Sequence, residues 1–165
     1  MANRTAWTAG NGVGFTWTTA INGSDLASLA NGSTVLSSVA DIANQTALDI
    51  YADLSVRMTV TSATPPAGAY LGLYLAALLD DGATYGDGSL TSGSTITRAP
   101  PWTPVGTIPL EIAAAATLLA GFIQGIIIPP GSFRFALFNS SGVALSATST
   151  NCVVKYRTYN MNLNN

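Results

Sequence analysis

From Leu48 to Val60 the chain alternates strictly, with Leu48, Ile50, Ala52, Leu54, Val56, Met58 and Val60 on one set of positions and Asp49, Tyr51, Asp53, Ser55, Arg57 and Thr59 between them. Successive side chains of a strand point to opposite faces, so this pattern predicts one long strand, apolar on one side and polar on the other. At about 3.3 Å per residue it would run roughly 40 Å. A slip of one residue would turn Asp53 and Arg57 into the core, so burial sets the register.

The same pattern recurs along the chain. Thr34 to Val39 reads as a short strand. Ala69 to Leu79 carries Leu71, Leu73, Leu75, Ala77 and Leu79 on one face and is rather apolar on the other, which predicts a central strand. Val105 to Ala113 is a strand that Pro109 confines to a sheet edge. Thr117 to Ile128 forms one strand or two, and Ser132 to Asn139 alternates Phe133, Phe135 and Leu137 with Arg134, Ala136 and Phe138. Asn139-Ser140-Ser141-Gly142 reads as a hairpin turn into Val143 to Leu145. Cys152 to Tyr159 is the last strand, and the tail from Asn160 to Asn165 is expected to fray. Asp25 should cap one helical turn over Leu26 to Ala30, stopped by Asn31-Gly32. About eight strands and hardly any helix predict an all-β antiparallel β-sandwich of jelly-roll kind. The division is a glycine-rich N-terminal arm over 1–24 and a sandwich domain over 25–165.

Composition sharpens this picture. The chain has 165 residues, enough for one domain with a proper core, and only 8% are charged, against about 25% in an ordinary soluble domain. The mean hydropathy is +0.36. A surface coated in Ser, Thr, Asn and Gly but nearly free of charge offers little repulsion between copies, so much of it is expected to lie against other chains. The blander reading is an extracellular or thermally robust domain with a Ser/Thr coat. Net charge is −2, and the cations Arg4, Arg57, Arg98, Arg134, Lys155 and Arg157 are scattered along the sequence, which argues against nucleic acid as a partner. The single cysteine, Cys152, excludes an intramolecular disulfide and fits a reducing cytoplasm, and the first residues lack the apolar core of a secretory signal.

Two segments invite a functional reading and fall short of it. Ile112 to Ile128 is apolar but is interrupted by Thr117, Gly121, Gln124 and Gly125, and it lacks flanking Lys/Arg, so buried strands are expected there and not a membrane span. Asp80 to Gly88 gathers Asp80, Asp81 and Asp87 among glycines, yet lacks EF-hand spacing, so a solvated turn is expected and not a metal site.

The chain has no histidine, which removes the commonest general base and metal ligand. Asp49 and Asp53 share a strand face but stand roughly 13 Å apart, too far for a paired-carboxylate mechanism. Gly10, Gly12 and Gly14 follow no buried strand and open no helix, so they are not a dinucleotide loop. No enzyme activity and no cofactor are expected. Aromatic anchors are another matter: Trp7, Phe15 and Trp17 lie in the glycine-rich arm, and Trp102 lies in the rigid stretch Ala99-Pro100-Pro101-Trp102-Thr103-Pro104. The arm either folds onto its own domain or reaches a neighbouring subunit.

Asp25-Leu26-Ala27-Ser28-Leu29-Ala30-Asn31-Gly32-Ser33, Asp49-Ile50-Tyr51-Ala52-Asp53, Pro66-Ala67-Gly68 before Leu71-Gly72-Leu73-Tyr74-Leu75, and Ile128-Pro129-Pro130-Gly131-Ser132-Phe133-Arg134-Phe135 together resemble small bacteriophage virion proteins, nearest in kind to capsid decoration or cement proteins. These motifs are turns and strands, with no catalytic signature among them. The resemblance implies a β-sandwich on the outside of a capsid, assembled in the host cytoplasm as a homotrimer or homodimer and bridging joints between copies of the major capsid protein. Trp7, Phe15, Trp17 and Trp102 are then the candidate contacts, although Trp102, flanked by prolines, reads more readily as cover for a core edge. The alternative is a tail- or fibre-associated module that binds a receptor glycan through exposed aromatics.

Overall fold

A computed structural model describes residues 4–10, 15–60, 64–79, 84–85, 93–110 and 118–164. The strands are β1 (Arg4–Ala9), β2 (Thr18–Ile21), β3 (Thr34–Leu36), β4 (Ile42–Ala43), β5 (Tyr51–Thr59), β6 (Tyr70–Ala77), β7 (Thr95–Ile96), β8 (Thr103–Pro109), β9 (Leu118–Ile127), β10 (Ser132–Ser140) and β11 (Val153–Asn164), with a short α-helical turn, α1 (Gly23–Leu26), and a 3-10 turn over Ser149–Asn151. All pairings are antiparallel. Sheet A has the order β1-β11-β5-β9, with β2 also along β11; sheet B has the order β7-β3-β10-β6-β8, with β4 on β10. This is an all-β, two-sheet architecture.

The two inner faces supply the core. Ala52, Leu54, Val56 and Met58 of β5 are buried against Phe133, Phe135 and Leu137 of β10, as the period-two pattern of each strand requires. Phe133 and Phe135 meet edge to face at 5.5 Å. β6 is central, between β10 and β8, and β8 is an edge strand that ends at Pro109, both as expected.

The long strand is shorter than its alternation predicts. It begins at Tyr51, because Asn44 closes a turn just before it. The Asn44 amide donates to the Asp49 carbonyl at 2.8 Å while Asp49 N–H donates to Asn44 Oδ1 at 2.8 Å, and Leu48 sits at φ +48°. Backbone groups held by a side chain are no longer available to a ladder. Leu48 and Ile50, expected in the core, are therefore 57% and 48% exposed.

Other expectations change for similar reasons. The helical turn lies over Gly23–Leu26, not Leu26 to Ala30, and Asp25 is within it; its carboxylate accepts from Ser38 N–H at 2.8 Å and Ser38 Oγ–H at 2.9 Å instead of capping. Asn139 to Gly142 is a turn but no hairpin follows: the chain crosses to sheet A, where Leu145 bridges Val60. The buried Asn139 amide donates to Leu29 and Val143 carbonyls at 2.9 Å each and holds that crossing. The C-terminal tail does not fray at Asn160, since β11 runs to Asn164 paired with β1 from Arg4↔Asn164 to Ala9↔Tyr159. Of the two fates weighed for residues 1–24, the described part takes the first: β1 and β2 are strands of the chain's own sheet A. Within Asp80 to Gly88 only Thr84 and Tyr85 lie among the described residues, and 112–117 lie outside them.

Candidate functional site

The outer faces of the two sheets differ. On sheet B, Leu36, Ala76 and Ala136 point outward, and Trp102 and Tyr85 cover them to make a second core. Trp102 is thus buried as cover for a core edge; its indole N–H finds no hydrogen-bond partner among the described residues. Arg134 pairs with Asp41, Tyr85 donates a hydrogen bond to the same carboxylate, and the guanidinium lies 5.4 Å from the Tyr85 ring. Burial, with the Asp41 hydrogen bond behind it, holds the Tyr85 hydroxyl well above the usual tyrosine range.

Among the described residues nothing covers sheet A in this way. Its outward side chains come from alternate positions of β5, β9 and β11: Tyr51, Asp53, Ser55 and Arg57; Leu118, Ala120 and Phe122; Val153, Lys155, Arg157, Tyr159 and Met161. Three of the four aromatics singled out in the sequence stand on this face.

The centre of the face is Asp53, 3% exposed. Cross-strand register puts Arg157 opposite it. Its carboxylate accepts from Arg157 Nε at 3.0 Å and Nη2 at 2.8 Å, from Tyr159 Oη–H at 2.9 Å and from Gly125 N–H at 3.0 Å. Gly125, at φ +67°, lies in the irregular stretch where β9 breaks register with β5 between Ala52 and Leu54, and there its N–H is turned toward the carboxylate. Burial first, then the hydrogen bond to Asp53, raises the Tyr159 hydroxyl above its ordinary value. Asp49 is also buried and accepts from the Asn160 amide at 2.9 Å. Both carboxylates are thus tied into the sheet.

Toward the start of β5 the face is apolar. Tyr51 and Tyr159 stack at 5.7 Å, and Trp7 stands edge-on to both, at 6.3 and 5.1 Å. Ile127 is opposite Tyr51 and 76% exposed, and Met161 is opposite Trp7. Trp7, Met161 and Ile127 are thus exposed apolar side chains at one end of the face. Toward the other end, Trp17 stands edge-on to Phe122 at 5.6 Å, and the Arg157 guanidinium lies 4.9 Å from the Trp17 ring and 5.7 Å from Phe15. Beside it a groove of about 300 Å³ is lined by Trp17, Ser55, Arg57, Val153 and Lys155.

No protein-family model, curated protein or solved structure matches this chain. Among the described residues no helix is long and apolar enough to cross a membrane, and no group of three or more His, Cys, Asp or Glu side chains is placed to hold a metal ion.

Sequence reasoning missed Tyr51, Tyr159, Phe122 and the Asp53–Arg157 pair as parts of this face. Tyr51 and Tyr159 sit at polar positions of two amphipathic strands, a usable signal, but only the pairing register makes them neighbours. Three of the six cations scattered along the sequence come together in space, because Arg57, Lys155 and Arg157 share this face.

Proposed function

We propose that the chain is a structural bacteriophage virion protein, a decoration protein that docks on the outside of a capsid and bridges joints between major capsid subunits. The observation that carries this reading is the asymmetry of the sandwich. Sheet B is roofed by its own chain, whereas sheet A presents Trp7, Met161, Tyr51 and Ile127 as an apolar end that nothing among the described residues covers.

A jelly roll is the finer fold reading, and the strand orders support it. The chain crosses between sheets from β2 to β3, β4 to β5, β5 to β6, β8 to β9, β9 to β10 and β10 to β11, while β6 and β8 remain neighbours in sheet B. Jelly rolls of this kind serve as capsid and lectin domains. An interface of this sort works by desolvating a few large side chains at its centre, and repetition over a shell multiplies a modest gain at each joint. The same low charge suits a homodimer or homotrimer on the virion exterior.

The test is co-sedimentation of the purified chain with capsid shells of the encoding phage, alongside light scattering of the chain alone. The expected result is saturable binding that Trp7→Ala with Met161→Ser weakens at least about tenfold, a centre-of-interface effect, together with a discrete dimer or trimer. Absence of shell binding by the unaltered protein sinks the decoration reading. A glycan-binding tail or fibre module is the second reading, favoured by the groove beside Trp17.

A further inference from the structure

We infer that the groove beside Trp17 on sheet A is a binding site for an acidic saccharide. The inference rests on the groove's own geometry and stands whether or not the opposite end of the sheet docks on a capsid. About four residues of β5 separate the Tyr51 row from Ser55, roughly 13 Å, so the two areas do not compete for the same side chains.

Charge is the first argument. The protein has six cations and a net charge of −2, yet three cations meet here. Arg157 is neutralised by Asp53. Arg57 and Lys155 are exposed, make no ion pair among the described residues, and stand diagonally across β5 and β11, since Arg57 is opposite Val153 and Lys155 opposite Ser55. Two exposed cations on adjacent strands, without an ion-pair partner among the described residues and with Ser55 beside them in the groove lining, form a seat for one carboxylate or sulfate.

The second argument is the wall. Trp17 is held by Phe122 on its edge and by the Arg157 guanidinium over its ring, so its orientation is set before any ligand arrives. An indole fixed beside hydroxyl and cationic groups suits a ring with an apolar C–H face and polar edges, which is a sugar. The volume, about 300 Å³, is at the small end of ligand sites. Two free cations fall short of the basic track that nucleic acid needs. An extended acidic peptide would have no use for the indole wall.

The experiment is NMR titration of the intact protein, following the Trp17 indole N–H, with digalacturonate, its neutral galactose counterpart, a glutamate hexapeptide and a thymidine hexanucleotide. Digalacturonate is expected to shift the Trp17 signal saturably, with affinity falling as salt rises. The neutral disaccharide should bind about tenfold more weakly, and Arg57→Gln with Lys155→Gln should remove that difference. Trp17→Ala should weaken binding about tenfold, with Trp17→Phe intermediate and an unchanged unfolding midpoint for the latter. The inference is overturned if digalacturonate at about 10 mM moves nothing, if the neutral sugar binds equally well, or if the peptide or the oligonucleotide binds at least as tightly. Loss of shell binding in the charge variant, with saccharide binding intact, would also overturn it, since the groove would then belong to the capsid contact.

Discussion

Asp53 shows how one side chain ties the exposed face of sheet A together. The alternation of β5 already places it on the outer side, opposite the core residues Leu54 and Ala52. That side would be an ordinary solvated position for a carboxylate. What buries it is Arg157 directly across the ladder, Tyr159 two residues on, and the Gly125 N–H. Asp53→Asn removes the charge that Arg157 balances and presents an N–H₂ group to donors. Hydrogen bonds to charged groups contribute roughly 1.5–3 kcal/mol, so a loss of about 2 kcal/mol is expected, read as a lower urea midpoint at an unchanged slope. An unaltered midpoint would show that the network contributes no net stability. The change should also loosen Arg157 from Trp17 and broaden the Trp17 indole signal.

At the scale of elements, β8 and β9 show what a strand-by-strand reading leaves open. Both are edge strands, in opposite sheets, and each has a glycine facing a large side chain of the other. A Cβ on Gly106 would lie 2.7 Å from Ile123 Cδ1, and one on Gly121 would lie 2.6 Å from Ile108 Cδ1 and Cγ2. The isoleucines fill the hollows that the glycines leave, which draws the two edges together. Gly121→Ala is therefore expected to destabilise by about 1–3 kcal/mol through overpacking, despite the gain alanine usually brings in a strand. Thermal unfolding measures it, and a neutral or raised midpoint would contradict the close approach. In the sequence Gly121 looks only like a break in an apolar run. Its packing role needs the opposite sheet. β1 and the end of β11 make the same point, since one reads as part of an aromatic-bearing arm and the other as a fraying tail, yet together they form a ladder from Arg4↔Asn164 to Ala9↔Tyr159.

Across the whole molecule, the tyrosines report on the closed sandwich. Burial raises the hydroxyls of Tyr74, Tyr85, Tyr156 and Tyr159 above the ordinary value of 10.0, with Tyr70 adding to the shift at Tyr74, Asp41 at Tyr85 and Asp53 at Tyr159. A raised folded value means that the native state holds the proton more tightly than the unfolded chain. That contribution is complete below about pH 10 and is lost as pH climbs through the folded values. The chain is accordingly expected to lose stability steeply above about pH 10, as seen in urea midpoints between about pH 8 and 12. A flat profile would mean that the tyrosines ionise without opening the sandwich.

Alternation between neighbouring residues is a local property, and it carried the all-β class, the inward faces of β5, β6 and β10, and the edge position of β8 with its Pro109. Those features follow from where each side chain points relative to the next, so the sequence alone determined them. It also determined the scarcity of charge, the absence of histidine and the unusual supply of exposed-type aromatics near the N-terminus. Which aromatics meet, and which sheet face the described residues leave uncovered, depended on contacts between residues far apart in the chain. Prolines on both sides already mark Trp102 as cover for a core edge, but that it seals Leu36, Ala76 and Ala136, and that Trp7 stands beside Tyr51 and Tyr159, follows only from the sheet pairing. Arg57, Lys155 and Arg157 become one patch only because β11 pairs with β5 in a single register. Register and sheet order are non-local, set by how the whole core closes, and for that reason only the tertiary structure decided them.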